Sequence, residues 1–333
     1  MTSTDMRQAP HLDAGLTPED LRTMYYYMSL TRALEERVRS LYLQGKLVGG
    51  VYTSRGQEGT AVASAYAMQP QDVCAPLIRD LGATMTRGVP PRAVLAQWLG
   101  RVGGPTGGRD TNLHFGDMGR GILAPISMLG ATIPLCAGVA LAARQCGRDS
   151  VALAYVGDGG SNTGDFHEGM NFAAALRLPL VVIVENNGYA YSTPVSQHVA
   201  IESFADRAVA YGVPGWSMDG NDVIEVYRLT RDALERARRG DGPTLLEART
   251  FRMRGHAEHD DASYVPKELV AAWAQRDPIH RLAHYLDEHG LWTPDDQRTM
   301  EDRIKRDIDE SLEWAVASPM PDGVTQTADI YAE

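Results

Sequence analysis

The chain has 333 residues, 44% of them apolar and 23% charged, and a formal net charge of -11. That balance suits a globular protein with a large core, built as one large α/β domain or two ordinary ones. The negative charge argues against a nucleic-acid groove, because phosphate backbones attract basic surfaces. No apolar run approaches the length a membrane-spanning helix needs.

The first sixteen residues mix polar side chains with Pro10 and Gly15 and carry Arg7 as a cation. They read as a flexible tail, neither a signal peptide nor a transit peptide, which makes a cytoplasmic location the expectation. Ordered structure is expected from Thr17, with Pro18 at the first helical position and Asp20 completing a capping-box-like pattern. Leu21, Met24, Tyr25, Met28, Leu34, Val38 and Leu41 then recur at helical spacing until Gly45. A second helix is expected from about Glu58 to Met68. The stretch Arg101–Leu123 holds seven glycines, too many for a regular element, and reads as a functional or mobile loop. A buried helix is expected after Pro134, through Leu135, Val139 and Leu141.

From here strand and helix alternate. Val151–Val156 is a short apolar run, Phe166–Leu176 is helical, and Leu180–Val184 is β-branched between Pro179 and Asn186. Val223–Arg239 reads as a helix and Thr244–Ala248 as a further strand. Strands separated by helices of this length imply right-handed crossovers and a parallel sheet with helices on both faces. After Pro266 the chain reads as wholly helical, around Lys267–Gln275, Ile279–Glu288 and Asp295–Val316. The expected organisation is a tail over 1–16 and a single α/β domain over 17–333, with its C-terminal helices from about 266. Cys74, Cys136 and Cys146 show no C-x-x-C spacing and read as buried thiols of a reducing compartment.

In open parallel sheets, ligands bind beyond the carboxyl ends of the strands. Two such ends carry polar residues here: Gly157-Asp158-Gly159-Gly160-Ser161-Asn162 after the first apolar run, and Glu185-Asn186-Asn187-Gly188-Tyr189 after the second. Glycines beside Asp158 allow close backbone approach, and amides at a helix N-terminus favour a phosphate. A carboxylate, an amide oxygen and a backbone carbonyl would half-fill a magnesium octahedron. Alone, Gly-Asp-Gly is usually a turn, and Asn-Asn-Gly is ordinary turn chemistry. Asn187 stands 29 positions after Asp158, however, a spacing that suits one strand–helix–strand unit and brings the two loops side by side.

With these strings the sequence resembles the alpha subunits of the pyruvate, branched-chain 2-oxo acid and acetoin dehydrogenase complexes. The resemblance runs from about Thr17 to the C-terminus and also rests on Ile126-Ser-Met-Leu-Gly-Ala-Thr-Ile-Pro134 and Arg252-Met-Arg-Gly-His256. It implies a thiamine-diphosphate-binding fold with Mg2+ held by Asp158, Asn187 and the carbonyl of Tyr189. Gly159, Gly160, Arg79 and Arg252 would meet the diphosphate, Ser127 and Leu129 would lie at the pyrimidine side, and His256 would stand over the reacting thiazolium carbon. Read from the residues alone, Ser127 and Leu129 suit packing, Arg79 and Arg252 suit surface ion pairs, and the polar loop around His256 is either solvated or a site.

The implied activity is oxidative decarboxylation of a 2-oxo acid, pyruvate or a branched-chain one, with acyl transfer to a lipoyl domain. The implied partners are a beta subunit, which supplies the catalytic carboxylate in an alpha2-beta2 heterotetramer, and a lipoyl-bearing acyltransferase. An imidazole titrating near neutrality at His256 would suit proton delivery to the departing sulfur. Two departures stand out: Ile78 replaces a tyrosine that helps hold the diphosphate in pyruvate-type relatives, and Ala257 replaces a phosphorylated serine of animal relatives. Acetoin cleavage is the alternative substrate reading. A non-catalytic scaffold would leave the metal constellation unexplained, and a nicotinamide dehydrogenase lacks its Gly-x-Gly-x-x-Gly after an early strand.

Overall fold

The computed structural model describes residues 9–324. Its centre is a sheet of five parallel strands: β1 (Val73–Ala75), β2 (Ala152–Gly157), β3 (Leu180–Asn186), β6 (Gly215–Asp219) and β7 (Thr244–Arg249). The short strands β4 (Tyr189–Ala190) and β5 (Thr193–Pro194) form a separate antiparallel hairpin. The spatial order is β1-β2-β3-β7-β6, so the chain passes from β3 to the outer edge before returning to β7 beside it.

Strand alternation divides the core in two. Leu153, Tyr155, Val181 and Ile183 face the helices Pro18–Leu43, Glu58–Tyr66 and Val223–Arg238. Ala152, Ala154, Val182 and Val184 face the helices Thr132–Gln145 and Gly164–Ala175. Helices on both faces explain why β2 and β3 are apolar without interruption, since neither side meets water. The sheet arrangement is the one expected from the sequence.

Helix Pro18–Leu43 starts with a complete capping box, the Thr17 side chain accepting from the Asp20 amide and the Asp20 side chain accepting from the Thr17 amide. The C-terminal helices are Lys267–Ala274, Pro278–Glu288 and Pro294–Ala317, and Leu282, Leu286, Ile304 and Ile308 enter the same core as Met24 and Leu34. Arg32 locks this corner, ion-paired with both Glu58 and Asp277 at 2.7 Å.

The structure differs from the sequence reading at several places. Strands β1 and β6 carry no clear sequence signal, being three and five residues long at the sheet edges. Within the expected N-terminal tail, Pro10–Asp13 forms a helical turn, and Ala14 and Leu16 are buried. So short an apolar pair shows no periodicity, yet it is enough to dock; residues 1–8 lie outside the described part. Cys74 and Cys136 are buried, but Cys146 is exposed at the end of helix Thr132–Gln145, where the chain turns outward. The glycine-rich stretch is irregular, as expected, with one 3-10 turn at Met118–Arg120. The segment after the last long helix reaches back to it: the Val102 amide donates to the Pro319 carbonyl at 3.0 Å and the Gly103 amide to Ser318 Oγ at 2.9 Å.

Candidate active site

Register places the two polar loops together. Gly157 lies opposite Glu185 and Glu185 opposite Ala248, so the chain after β2, β3 and β7 emerges at one edge. There the Asn187 amide donates to Asp158 Oδ2 at 3.2 Å, and the Gly159 amide donates to Asp158 Oδ1 at 2.6 Å. The Asp158 carboxyl is 2% exposed, and burial pushes it above its ordinary value against the pull of those two amides and of His198. A buried carboxylate without a cation bonded to it is a poor resting state, which a bound cation would relieve.

Asn187 is buried and anchored by Gln57, whose Oε1 accepts from Asn187 Nδ2 at 3.0 Å. The Tyr189 amide, a pure donor 3.4 Å away, marks the facing Asn187 atom as Oδ1 and is the one weak donor it has among the described residues. The Tyr189 carbonyl is similarly underused, accepting from Arg252 at 3.4 Å. Three hard oxygens with spare lone pairs suit magnesium. Among the described residues no group of three or more His, Cys, Asp or Glu is placed to hold a metal ion.

Arg79 and Arg252 are not surface ion pairs. They are 7% and 3% exposed, and their hydrogen bonds go to neutral acceptors. Arg79 donates to the Thr53 carbonyl at 3.2 Å and to the carbonyl and Nδ1 of His256. Arg252 donates to the carbonyls of Tyr189, Tyr191 and Arg254 and to the Tyr264 hydroxyl. Burial, and next the charge of Arg252, bring Arg79 down to about 10. Two buried guanidiniums near enough to repel each other are both hydrogen-bonded to neutral groups, while the charges of Glu35, Glu185 and Asp80 act on Arg79 from farther off.

Gly159 and Gly160 have no room for a side chain. A Cβ at Gly159 would lie 2.6 Å from the Ala190 Cβ, and one at Gly160 would lie 3.0 Å from Val156. The loop Ser127–Gly130 sits against this turn, with Leu129 Cβ also close to Gly160. Gly130 has φ +89°, and a Cβ there would strike the Thr163 hydroxyl at 2.1 Å, so only glycine fits. Ser127, Met128 and Leu129 are exposed. Within this chain Ser127 and Leu129 are therefore not part of the packed core.

His256 is held from several sides. Its amide donates to Asp260 Oδ2 at 2.6 Å, and its ring lies 4.4 Å from the Tyr191 ring and 5.5 Å from the Tyr52 ring, centroid to centroid. Burial and the charges of Arg79 and Arg252 lower its pKa to about 4. The expectation of near-neutral titration is corrected here: at pH 7 the imidazole is neutral. Arg79 donates to Nδ1 at 3.1 Å, so the proton of the neutral ring is on Nε2.

Several partners had no legible signal. Gln57 stands on a loop steadied by Glu35, whose carboxylate accepts from the Ser54 amide at 2.9 and 3.0 Å. Glu185 is fully buried, and burial followed by the nearby Asp80 raises its pKa well above the ordinary range. Ile78, at the position of the missing tyrosine, is half-buried and packs against the core.

A carboxylate, an amide and two buried cations gathered at the carboxyl ends of parallel strands suit an anionic ligand carried with a metal. The family described as Dehydrogenase E1 component matches residues 26–323, and the chain belongs to it, as the alpha subunit of a thiamine-diphosphate-dependent 2-oxo acid dehydrogenase. It is 38% identical to the 2-oxoisovalerate dehydrogenase subunit alpha of Bacillus subtilis (strain 168) over 312 residues, 93% of this chain and 94% of that one. It is 35% identical to the pyruvate dehydrogenase E1 component subunit alpha of Staphylococcus aureus (strain Mu50 / ATCC 700699) over 335 aligned positions, 96% of this chain and 88% of that one. The corresponding Bacillus subtilis pyruvate subunit is 37% identical over 307 residues, 91% of this chain and 80% of that one. These relatives lend no support to the acetoin alternative. Among the described residues no helix is long and apolar enough to cross a membrane.

Proposed function

We propose that this alpha subunit acts on pyruvate or a branched-chain 2-oxo acid, holding thiamine diphosphate and Mg2+ at the strand ends with Asp158, Asn187 and the Tyr189 carbonyl. The observation that carries the reading is the pair of buried guanidiniums, Arg79 and Arg252, bonded to neutral groups beside a buried carboxylate. A diphosphate would neutralise the cations, and the metal would neutralise Asp158. Gly159 and Gly160 let the backbone approach the diphosphate closely, and Ser127 and Leu129 would meet the pyrimidine. Bound there, thiamine diphosphate supplies the carbanion chemistry of decarboxylation.

The chain's own residues bind and orient. Arg79 spans the site by holding both the Thr53 carbonyl and His256. His256 presents an Nε2–H donor to the reacting atoms, and a diphosphate opposite Arg79 and Arg252 would raise its pKa toward the range of a proton donor. Met128 and Leu129, apolar and 65% and 56% exposed, fit burial against a second chain. In this reading a beta subunit closes the cleft and provides the catalytic carboxylate, a lipoyl-bearing acyltransferase accepts the acyl group, and the assembly is cytoplasmic. The chain from Thr17 onward would act as a single domain.

Calorimetric titration of thiamine diphosphate with magnesium tests the reading, on complex assembled with the beta chain. Asp158→Ala removes a ligand and a charge, so cofactor affinity should fall on the order of 10²-fold or more while assembly persists. Unchanged affinity would sink the assignment.

A further inference from the structure

One donor beside Asp158 has no partner. His198 ends the helical turn Val195–His198 that follows β5. Its Nε2 is buried, makes no hydrogen bond among the described residues, and stands 3.9 Å from Asp158 Oδ1. That distance is too long for a hydrogen bond.

The state of this nitrogen is fixed by its neighbours. Arg207 donates to Asn162 Oδ1, and its other terminal nitrogen donates to Ser161 Oγ at 2.9 Å. A guanidinium has no acceptor, so the Asn162 atom facing it must be the carbonyl oxygen. The Asn162 Nδ2 group therefore faces His198 Nδ1, at 3.0 Å. An N–H donor aimed at Nδ1 requires a lone pair there, which puts the ring proton on Nε2. Arg207 is itself steady, lying over the Phe204 ring with its central carbon 5.0 Å from the centroid. The series Arg207–Asn162–His198 thus fixes a buried N–H beside the buried carboxylate, and nothing among the described residues accepts it. Leaving such a donor unmade is costly, and an acceptor that arrives from outside would satisfy it.

We propose that His198 is a diphosphate-binding residue, its Nε2–H donating to a non-bridging oxygen of the metal-bound diphosphate beside Asp158. The assignment rests on the cofactor position proposed above and adds a donor to those of Arg79 and Arg252. It acts on the diphosphate itself, so inorganic pyrophosphate should be recognised in the same way as the whole cofactor.

The test uses the complex assembled with the beta chain, carrying His198→Ala or His198→Gln, with Asp158→Ala as reference. Two affinities are measured by calorimetry at saturating magnesium, for thiamine diphosphate and for inorganic pyrophosphate. His198→Ala should weaken both by the same factor, about 10-fold or more, as expected for a lost hydrogen bond to a charged group. Glutamine carries an N–H at nearly the same reach, so His198→Gln should recover most of the loss. Unchanged pyrophosphate affinity in His198→Ala overturns the proposal. So does a loss that appears only as weaker magnesium binding, which would make His198 a support for Asp158. If Asp158→Ala retains full cofactor affinity, the metal–diphosphate position itself is wrong; if only His198→Ala is silent, the fault lies with His198 alone. Unfolding temperatures and sizing of the complex separate either result from misfolding.

Discussion

The Asp158 carboxylate is held by main-chain amides at the ends of neighbouring strands, whereas the His256 ring is held by side chains, on a loop that main-chain bonds from Met253 and Glu258 tie down. The Asp158 carboxylate takes its bonds from the Gly159 and Asn187 amides. Those amides lie just beyond the last pair of the ladder between β2 and β3, Gly157 with Glu185. His256 depends instead on Asp260, Arg79, and the rings of Tyr52 and Tyr191. The first arrangement fixes a position, although the charges of His198 and Arg252 also act on the carboxyl. The second fixes a protonation state and responds to whatever neutralises Arg79 and Arg252. One end is rigid and the other adjustable.

The largest effect that separates the two ends is expected from His256→Ala. Cofactor and magnesium binding should persist, because the Asp158 end is untouched. Reductive acylation of a lipoyl domain should fall by about 10²-fold or more, while decarboxylation read with an artificial electron acceptor survives in part. Equal losses in both assays would make His256 a positioning residue only. His259→Ala, nearby but outside the resemblance, should behave nearly as wild type.

A smaller effect is expected from Gln57→Leu. It removes the bond that orients the Asn187 amide but leaves the backbone hold intact, so cofactor affinity should drop about 10-fold, well short of the Asp158→Ala loss. A loss as large as that of Asp158→Ala would show that the side chain, not the ladder, sets this end.

The smallest effect is a titration. Without cofactor the His256 ring should protonate near pH 4, because burial and two guanidiniums disfavour its charged form. Binding thiamine diphosphate opposes those cations, so the pKa should move upward, which NMR of the labelled ring can follow. A downward shift, or none, would place the diphosphate elsewhere.

What the sequence made legible follows the same division. The Asp158–Asn187 pair could be read because a strand–helix–strand unit has a fixed length and its strand ends are marked by glycine and asparagine. The uninterrupted apolar runs of β2 and β3 likewise revealed a sheet covered on both faces. Arg79 and Arg252 were ambiguous, since nothing local in a sequence distinguishes a buried arginine from a surface one. Gln57, Glu35 and His198 act through contacts between segments far apart in the chain, for which no spacing rule exists. Edge strand β6 escaped notice because Trp216 and Ser217 are exposed, which breaks its apolar pattern.

The bonds from Val102 and Gly103 to Pro319 and Ser318 have a consequence for how the molecule opens. A loop with seven glycines between Arg101 and Leu123 has little side-chain surface with which to protect its own amides. Here part of that protection is supplied by the end of helix Pro294–Ala317, including Trp314, which leaves no room for a side chain at Gly103. The two segments should therefore exchange their amide protons as one cooperative unit, although Gly103 and Ser318 are 215 positions apart. A protease that nicked the chain after Ala317 would release the start of the glycine-rich loop, far from the cut in sequence.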